Sequence, residues 1–137
     1  MEILNLEGTS DTPKIILNKE NKIFEISGRS LPEDSAEFYR PVLEWIANYA
    51  KEANPTTEFS FKLEYFNTSS SKLILDILSA LEEIEGMKIE WCYAEDDEDM
   101  EEAGKEFSEL VEIPFEYRVN WVDSYQLIAN NVPTDND

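Results

Sequence analysis

The sequence predicts an α/β fold: a single mixed β-sheet with about three packed helices, in the order β-β-β-α-β-α-β-α-β. Three observations predict it. From Glu58 to Phe66 the chain alternates with period two, Phe59, Phe61, Leu63 and Tyr65 facing one way and Ser60, Lys62 and Glu64 the other. Three other segments carry apolar residues at helical spacing, and strand and helix patterns exchange regularly between Glu58 and Val119. Such alternation implies parallel pairing through right-handed crossovers. A chain of 137 residues, 42% of them hydrophobic, suits one domain that buries roughly two-thirds of its unfolded surface.

Three short extended runs come first, at Glu2 to Glu7, Lys14 to Leu17 and Lys22 to Ser27. Gly8 to Pro13 separates the first two, and the turn residues Asn18-Lys19-Glu20-Asn21 predict a hairpin between the second and third. Gly28 ends this part. Tyr39, Val42, Leu43, Ile46 and Ala50 then recur at helical spacing, with Asn54-Pro55 as the stop. Pro41 inside this segment marks either a bend or the start of the main helix after a preceding turn. After the Glu58 to Phe66 strand, Ile74, Ile77, Leu78, Leu81 and Ile84 share a helix face that Gly86 terminates. Met87, Ile89, Trp91 and Tyr93 read as a strand, Met100, Ala103, Phe107 and Leu110 as a third helix, and Phe115, Tyr117 and Val119 as a last strand. Residues 1–120 therefore form the expected domain. Residues 121–137 form a C-terminal extension: Trp121, Val122, Tyr125, Leu127 and Ile128 offer apolar surface to dock, and the polar end is expected to fray.

Composition excludes several function classes. The chain has no histidine, which removes Ser-His-Asp hydrolysis, Cys-His proteolysis and imidazole metal sites. Its net charge of −20 and the lack of a basic stretch argue against nucleic-acid and anionic-membrane partners, and favour encounter with basic protein surfaces. One cysteine, Cys92 between Trp91 and Tyr93, allows no internal disulfide and reads as a buried strand thiol. With no basic-then-apolar leader and no long apolar run, the expected location is the cytoplasm.

Three stretches are candidates for function. The first is Asn67-Thr68-Ser69-Ser70-Ser71-Lys72, where a strand passes into a helix: free backbone N–H groups and the helix dipole welcome an anion there, and Lys72 is close enough in sequence to pair with it. By spacing alone the commoner role for such hydroxyls is capping. The second is Glu95-Asp96-Asp97-Glu98-Asp99 with Glu101 and Glu102; lacking a central glycine it does not fit a calcium loop, and acids crowding a helix's first turn explain it more simply. The third is Gly28-Arg29-Ser30, where Arg29 stands ready to pair with a carboxylate or phosphate.

The blocks Ile26-Ser27-Gly28-Arg29-Ser30, Glu37-Phe38-Tyr39, Phe61 through Lys72 and Glu95 through Met100 together resemble the signatures of the SiaC family of bacterial regulatory phosphoproteins. The resemblance spans about Leu4 to Val119, and its central strand plus Asn-Thr-Ser-Ser-Ser-Lys is its most specific part. It implies a single domain similar in topology to the anti-sigma-factor antagonist (STAS) fold, acting by partner switching rather than as an enzyme, with no cofactor and no metal. By the same resemblance the threonine at position 68 is phosphorylated by a dedicated serine/threonine protein kinase and dephosphorylated by a PP2C-type phosphatase. The unmodified form is implied to bind and activate a diguanylate cyclase or another effector, raising cyclic di-GMP and promoting biofilm. Thr68 is then the modified residue, and Asn67, Ser69, Ser70, Ser71, Lys72 and Arg29 belong to the partner interface. The rival readings are a constitutive protein-binding scaffold that is never phosphorylated, and a metal-dependent hydrolase built on the acidic cluster.

Overall fold

Among the described residues, six strands form one mixed sheet whose spatial order is their chain order: β1 (Leu4–Leu6), β2 (Lys14–Asn18), β3 (Ile23–Ser30), β4 (Thr57–Phe66), β5 (Met87–Tyr93) and β6 (Phe115–Val119). The computed structural model describes residues 1–119, so the expected docking and fraying of 121–137 lie outside the described residues. β1, β2 and β3 pair antiparallel, and β3 through β6 pair parallel. The predicted hairpin is present, with Asn18 opposite Ile23 and the Asn18 side chain accepting from the Asn21 N–H.

The helices α1 (Ser35–Ala50), α2 (Thr68–Glu82) and α3 (Glu98–Leu110) are the three crossovers of the parallel part. Because right-handed crossovers between sequential neighbours all pass on one side, the helices cover a single face of the sheet. Beneath them lies one core, in which Ile26, Phe61 and Trp91 of neighbouring strands meet Tyr39, Ile46, Ile74 and Ile77 of the helices. Pro41 does not open α1. The helix begins at Ser35 behind the Asp34 cap and runs through Pro41, whose missing N–H leaves the Glu37 carbonyl without its usual donor.

The other face of the sheet is laced by ion pairs: Lys62 with Glu25 at 3.2 Å, Lys88 with Glu58 at 3.4 Å and Glu116 at 3.3 Å, and Arg118 with Glu90 at 3.1 Å. Glu90 is buried, but Ser60 also donates to it at 2.7 Å, so its charge is paired and hydrogen-bonded. Cys92 is buried as expected, and burial together with the nearby Glu90 charge pushes its thiol up to about 12.

Two expectations are corrected near the end of β4. Gly28 pairs with Leu63 but Arg29 pairs with Tyr65, so β4 carries one extra residue, Glu64, at a β-bulge. A one-residue insertion reverses every later side chain. Tyr65, expected to face inward with Leu63, is instead 49% exposed, and Phe66 turns to the helix side to pack on Phe107 at 6.1 Å between ring centroids. The strand before it does not stop at Gly28. With Gly28 at φ 108°, a conformation suited to glycine, β3 continues through Arg29 and Ser30.

Candidate functional site

Strands β3 to β6 run parallel, so their C-terminal ends share one edge of the sheet, and there the chain turns into α2 and α3. The Asn67 backbone N–H donates to the Ser30 carbonyl at 3.0 Å, which ties the start of α2 to the end of β3. Its side-chain oxygen accepts from the Ser70 N–H at 2.9 Å, capping the helix. The first helical bond runs from the Ser71 N–H to the Asn67 carbonyl at 3.0 Å. That leaves the N–H groups of Thr68 and Ser69 for solvent or a ligand.

Beneath this turn lies a chain of buried hydroxyls. Ser70 Oγ donates to the Ser30 carbonyl at 3.1 Å and lies 2.8 Å from Ser30 Oγ, which in turn lies 2.6 Å from the Tyr39 hydroxyl. Every proton is used when Tyr39 donates to Ser30 and Ser30 to Ser70. The chain locks β3, α1 and α2 together, and burial pushes the Tyr39 hydroxyl up to about 12, against a smaller lowering by Ser30. Ser70 therefore leaves the predicted interface. It is fully buried, because it sits on the inward stripe of α2 with Ile74 and Ile77.

The other hydroxyls of the run divide differently. Thr68 and Ser69 are exposed and Ser71 is half-buried. Ser69 Oγ lies 2.7 Å from Ser35 Oγ and donates to Asn67 Oδ1 at 3.2 Å, so it links α2 to α1. Lys72 is exposed and pairs with Asp76 at 3.4 Å. No acidic side chain lies in the first turn of α2.

Thr68 stands at the mouth of a groove of about 540 Å³ between α2 and α3. Ser71, Lys72 and Leu75 line it from α2; Ala103, Glu106, Phe107 and Leu110 line it from α3; and Phe66, turned inward by the bulge, also borders it. Leu110, read from the sequence as part of the third helix's apolar spacing, is 63% exposed on its rim. A smaller hollow of about 170 Å³ adjoins it, sharing Phe66 and Ala103 and bordered by Asp97 and Asp99.

Arg29 is exposed but is not brought beside the hydroxyl run: its guanidinium stacks 5.8 Å above the Tyr65 ring. The acidic run does what its simpler reading predicts. Asp97 caps α3 by accepting from the Met100 N–H at 3.0 Å, and Glu98, Asp99 and Glu101 fill the first turn. Among the described residues a trio of carboxylates close enough for a cation lies elsewhere, at Glu58, Glu90 and Glu116, where Lys88 and Arg118 already pair with them. None of the described helices is long and apolar enough to cross a membrane.

The model of the SiaC family regulatory phosphoproteins matches residues 6–120, a span that includes this whole edge of the sheet. The chain belongs to the SiaC family. It is 32% identical over 119 residues to an uncharacterized protein of Pseudomonas aeruginosa strain UCBPP-PA14, covering 84% of this chain and 94% of that protein. Apo-SiaC from Pseudomonas aeruginosa has 31% identity and a TM-score of 0.78 over 86% of this chain and 99% of that one. A chain in the structure of the diguanylate cyclase SiaD in complex with its activator SiaC, also from Pseudomonas aeruginosa, has 30% identity and a TM-score of 0.80 over 85% of this chain and 99% of that one. The residues that sequence reasoning missed are Ser30 and Tyr39, which anchor α2, and Leu75, Phe107 and Leu110, which line the groove beside Thr68.

Proposed function

We propose that this SiaC-family chain is a cytoplasmic, non-enzymatic partner switch whose state is set by phosphorylation of Thr68. The unmodified form binds and activates a diguanylate cyclase; a serine/threonine protein kinase adds the phosphate and a PP2C-type phosphatase removes it. The observation that carries this reading is the setting of Thr68: an exposed hydroxyl at the head of α2, in a first turn without acids, at the mouth of an apolar groove. The family's character as regulatory phosphoproteins and the SiaD–SiaC complex support it.

In the modification step the Thr68 oxygen bonds to the γ-phosphorus of ATP, the bond to the β-phosphate oxygen breaks, ADP leaves, and the hydroxyl proton passes to a base of the kinase. The product carries about 1.5 to 2 negative charges, which the α2 dipole and the free N–H groups of its first turn accommodate. Lys72, four residues on, is at the spacing and in the orientation that favour an acid-to-lysine pair, so it exchanges Asp76 for the phosphate. The fold is thus preserved while the docking surface changes. A basic effector surface is attracted by added negative charge, so release comes from desolvation: an apolar segment seated in the groove must strip water from a dianion at its mouth. Asn67, Ser69, Ser71 and Lys72 frame this interface.

Intact-mass measurement after incubation with ATP and the cognate kinase tests the reading. One added phosphate is expected on the wild-type chain and none on Thr68→Ala. A phosphate that persists on Thr68→Ala assigns the switch to another residue.

A further inference from the structure

We propose that the small hollow beside the groove is the seat of one basic side chain, a lysine or arginine that the effector carries next to the apolar residue filling the groove. The effector's part rests on the function proposed above; the seat itself does not.

At about 170 Å³ the hollow is smaller than the roughly 300 Å³ at which small-molecule pockets begin, so it suits a single side chain rather than a cofactor. Its lining has two characters. Met100 is buried and Phe66 and Ala103 are half-buried, so the depth is apolar. The carboxylates lie shallower: Glu64 and Asp99 are exposed and Asp97 is half-buried. Lysine and arginine match this arrangement, with an apolar stem that packs and a charged head that stays near water. The hollow also shares Phe66 and Ala103 with the groove beside Thr68, so the two form one continuous docking surface.

Charge complementarity selects the occupant. Arg40, Lys62, Lys72, Lys88, Lys105 and Arg118 pair with acids elsewhere, and among the described residues no base pairs with Glu64, Asp97 or Asp99. Asp97 spends Oδ1 on the Met100 N–H and keeps Oδ2 for a ligand. The head of α3 does not reverse the sign. Its dipole amounts to about half a positive charge, whereas Asp97, Glu98, Asp99 and Glu101 all stand at its cap and first turn. Carboxylates held around one opening repel one another, and a partner's cation relieves that repulsion. The net charge of −20 steers basic surfaces toward the chain in the same sense.

Titration of the isotope-labelled full chain with n-butylammonium, which carries a lysine's stem and head, tests the seat by nuclear magnetic resonance. The amide signals of Phe66, Met100 and Ala103 are expected to shift saturably, whereas ammonium ion at the same concentration shifts them no more than the rest of the chain. Asp99→Lys is expected to abolish the difference, and Glu64→Lys, which leaves α3 untouched, to do the same. Butylammonium shifts no larger than those with ammonium, or unchanged in both variants, overturn the seat. In a second arm, calorimetry with the cognate diguanylate cyclase reads the effector's part. Asp99→Lys and Glu64→Lys are each expected to weaken binding at least tenfold. Glu98→Lys, the same charge change in the same helical turn but away from the hollow, is expected to weaken it less than threefold. Equal weakening by all three, or none, overturns the effector's part. Slower Thr68 phosphorylation of Asp99→Lys with cyclase binding unchanged assigns the base to the kinase and overturns it likewise. No binding of the cyclase by the wild-type chain, with the butylammonium shifts intact, overturns the proposed function and leaves the seat standing.

Discussion

The heads of α2 and α3 lie on the same edge of the sheet, each follows a parallel strand, and each is capped by a short Asx side chain accepting from the third helical N–H. Their first turns are opposite in character. α3 supplies its own anions, Glu98, Asp99 and Glu101, so its dipole is already compensated; α2 supplies none and presents neutral hydroxyls. The difference teaches why the more acidic stretch is the poorer candidate for a charge-driven switch. An added phosphate at α3 would meet like charges, whereas at α2 it meets unpaired N–H groups and Lys72.

The two helices are also held differently, and that separates their responses. α2 hangs on the buried hydroxyl chain through Ser30 and Tyr39, whose phenol stays protonated to about pH 12 in the fold but ionises near pH 10 when unfolded. Its contribution is fully present below pH 10 and is lost as pH rises from 10 to 12, about 3 kcal/mol over two units. Urea unfolding across that range is expected to show this loss in the wild type and a flatter dependence in Tyr39→Phe; parallel curves would place the proton elsewhere. α3 instead rests on Trp91. The Trp91 indole N–H donates to the Met100 carbonyl at 2.9 Å, and a Cβ at Gly104 would lie 2.4 Å from the ring. Gly104→Ala is therefore expected to destabilise the chain by about 2 kcal/mol despite its better helix propensity, overpacking outweighing the gain. A rise in melting temperature would show that α3 is free to shift.

Smaller effects sharpen the contrast at the two helix heads. Ser70→Ala removes a buried hydroxyl with two partners and is expected to cost about 1–2 kcal/mol in chemical denaturation. A cost indistinguishable from that of Ser71→Ala would mean the hydroxyl chain does not anchor α2. Thr68→Glu places one acid in the empty first turn and is expected to raise stability by about 0.3–1 kcal/mol at low salt, with helical circular dichroism unchanged. The gain should fade at high salt. Loss of helix content in this variant would break the claim that α2 tolerates the charge.

Most of the architecture was legible because each element carries its own period: alternation in β4, helical spacing in α1 to α3, turn residues between β2 and β3. The β4 bulge was not, since an extra residue is defined only against the partner strand, and Tyr65 looks like a continuation of Phe59, Phe61 and Leu63. The position of Thr68 at the head of a helix was legible through its place after a strand. Ser70 was misread by treating the serines as one surface run, although its spacing to Ile74 and Ile77 already placed it on the buried stripe. Ser30 could not be foreseen as its partner, because the contact joins residues 40 positions apart across the α1 crossover and β4. The groove escaped notice because Leu110 continues the apolar face of α3 and only the packed structure leaves it 63% exposed.

Calorimetric titration of the cognate diguanylate cyclase with unmodified and Thr68-phosphorylated chain tests the central claim most directly. Tight binding by the unmodified form and at least tenfold weaker binding by the phosphorylated form, with both equally folded, is the predicted result. Equal affinities would contradict the account.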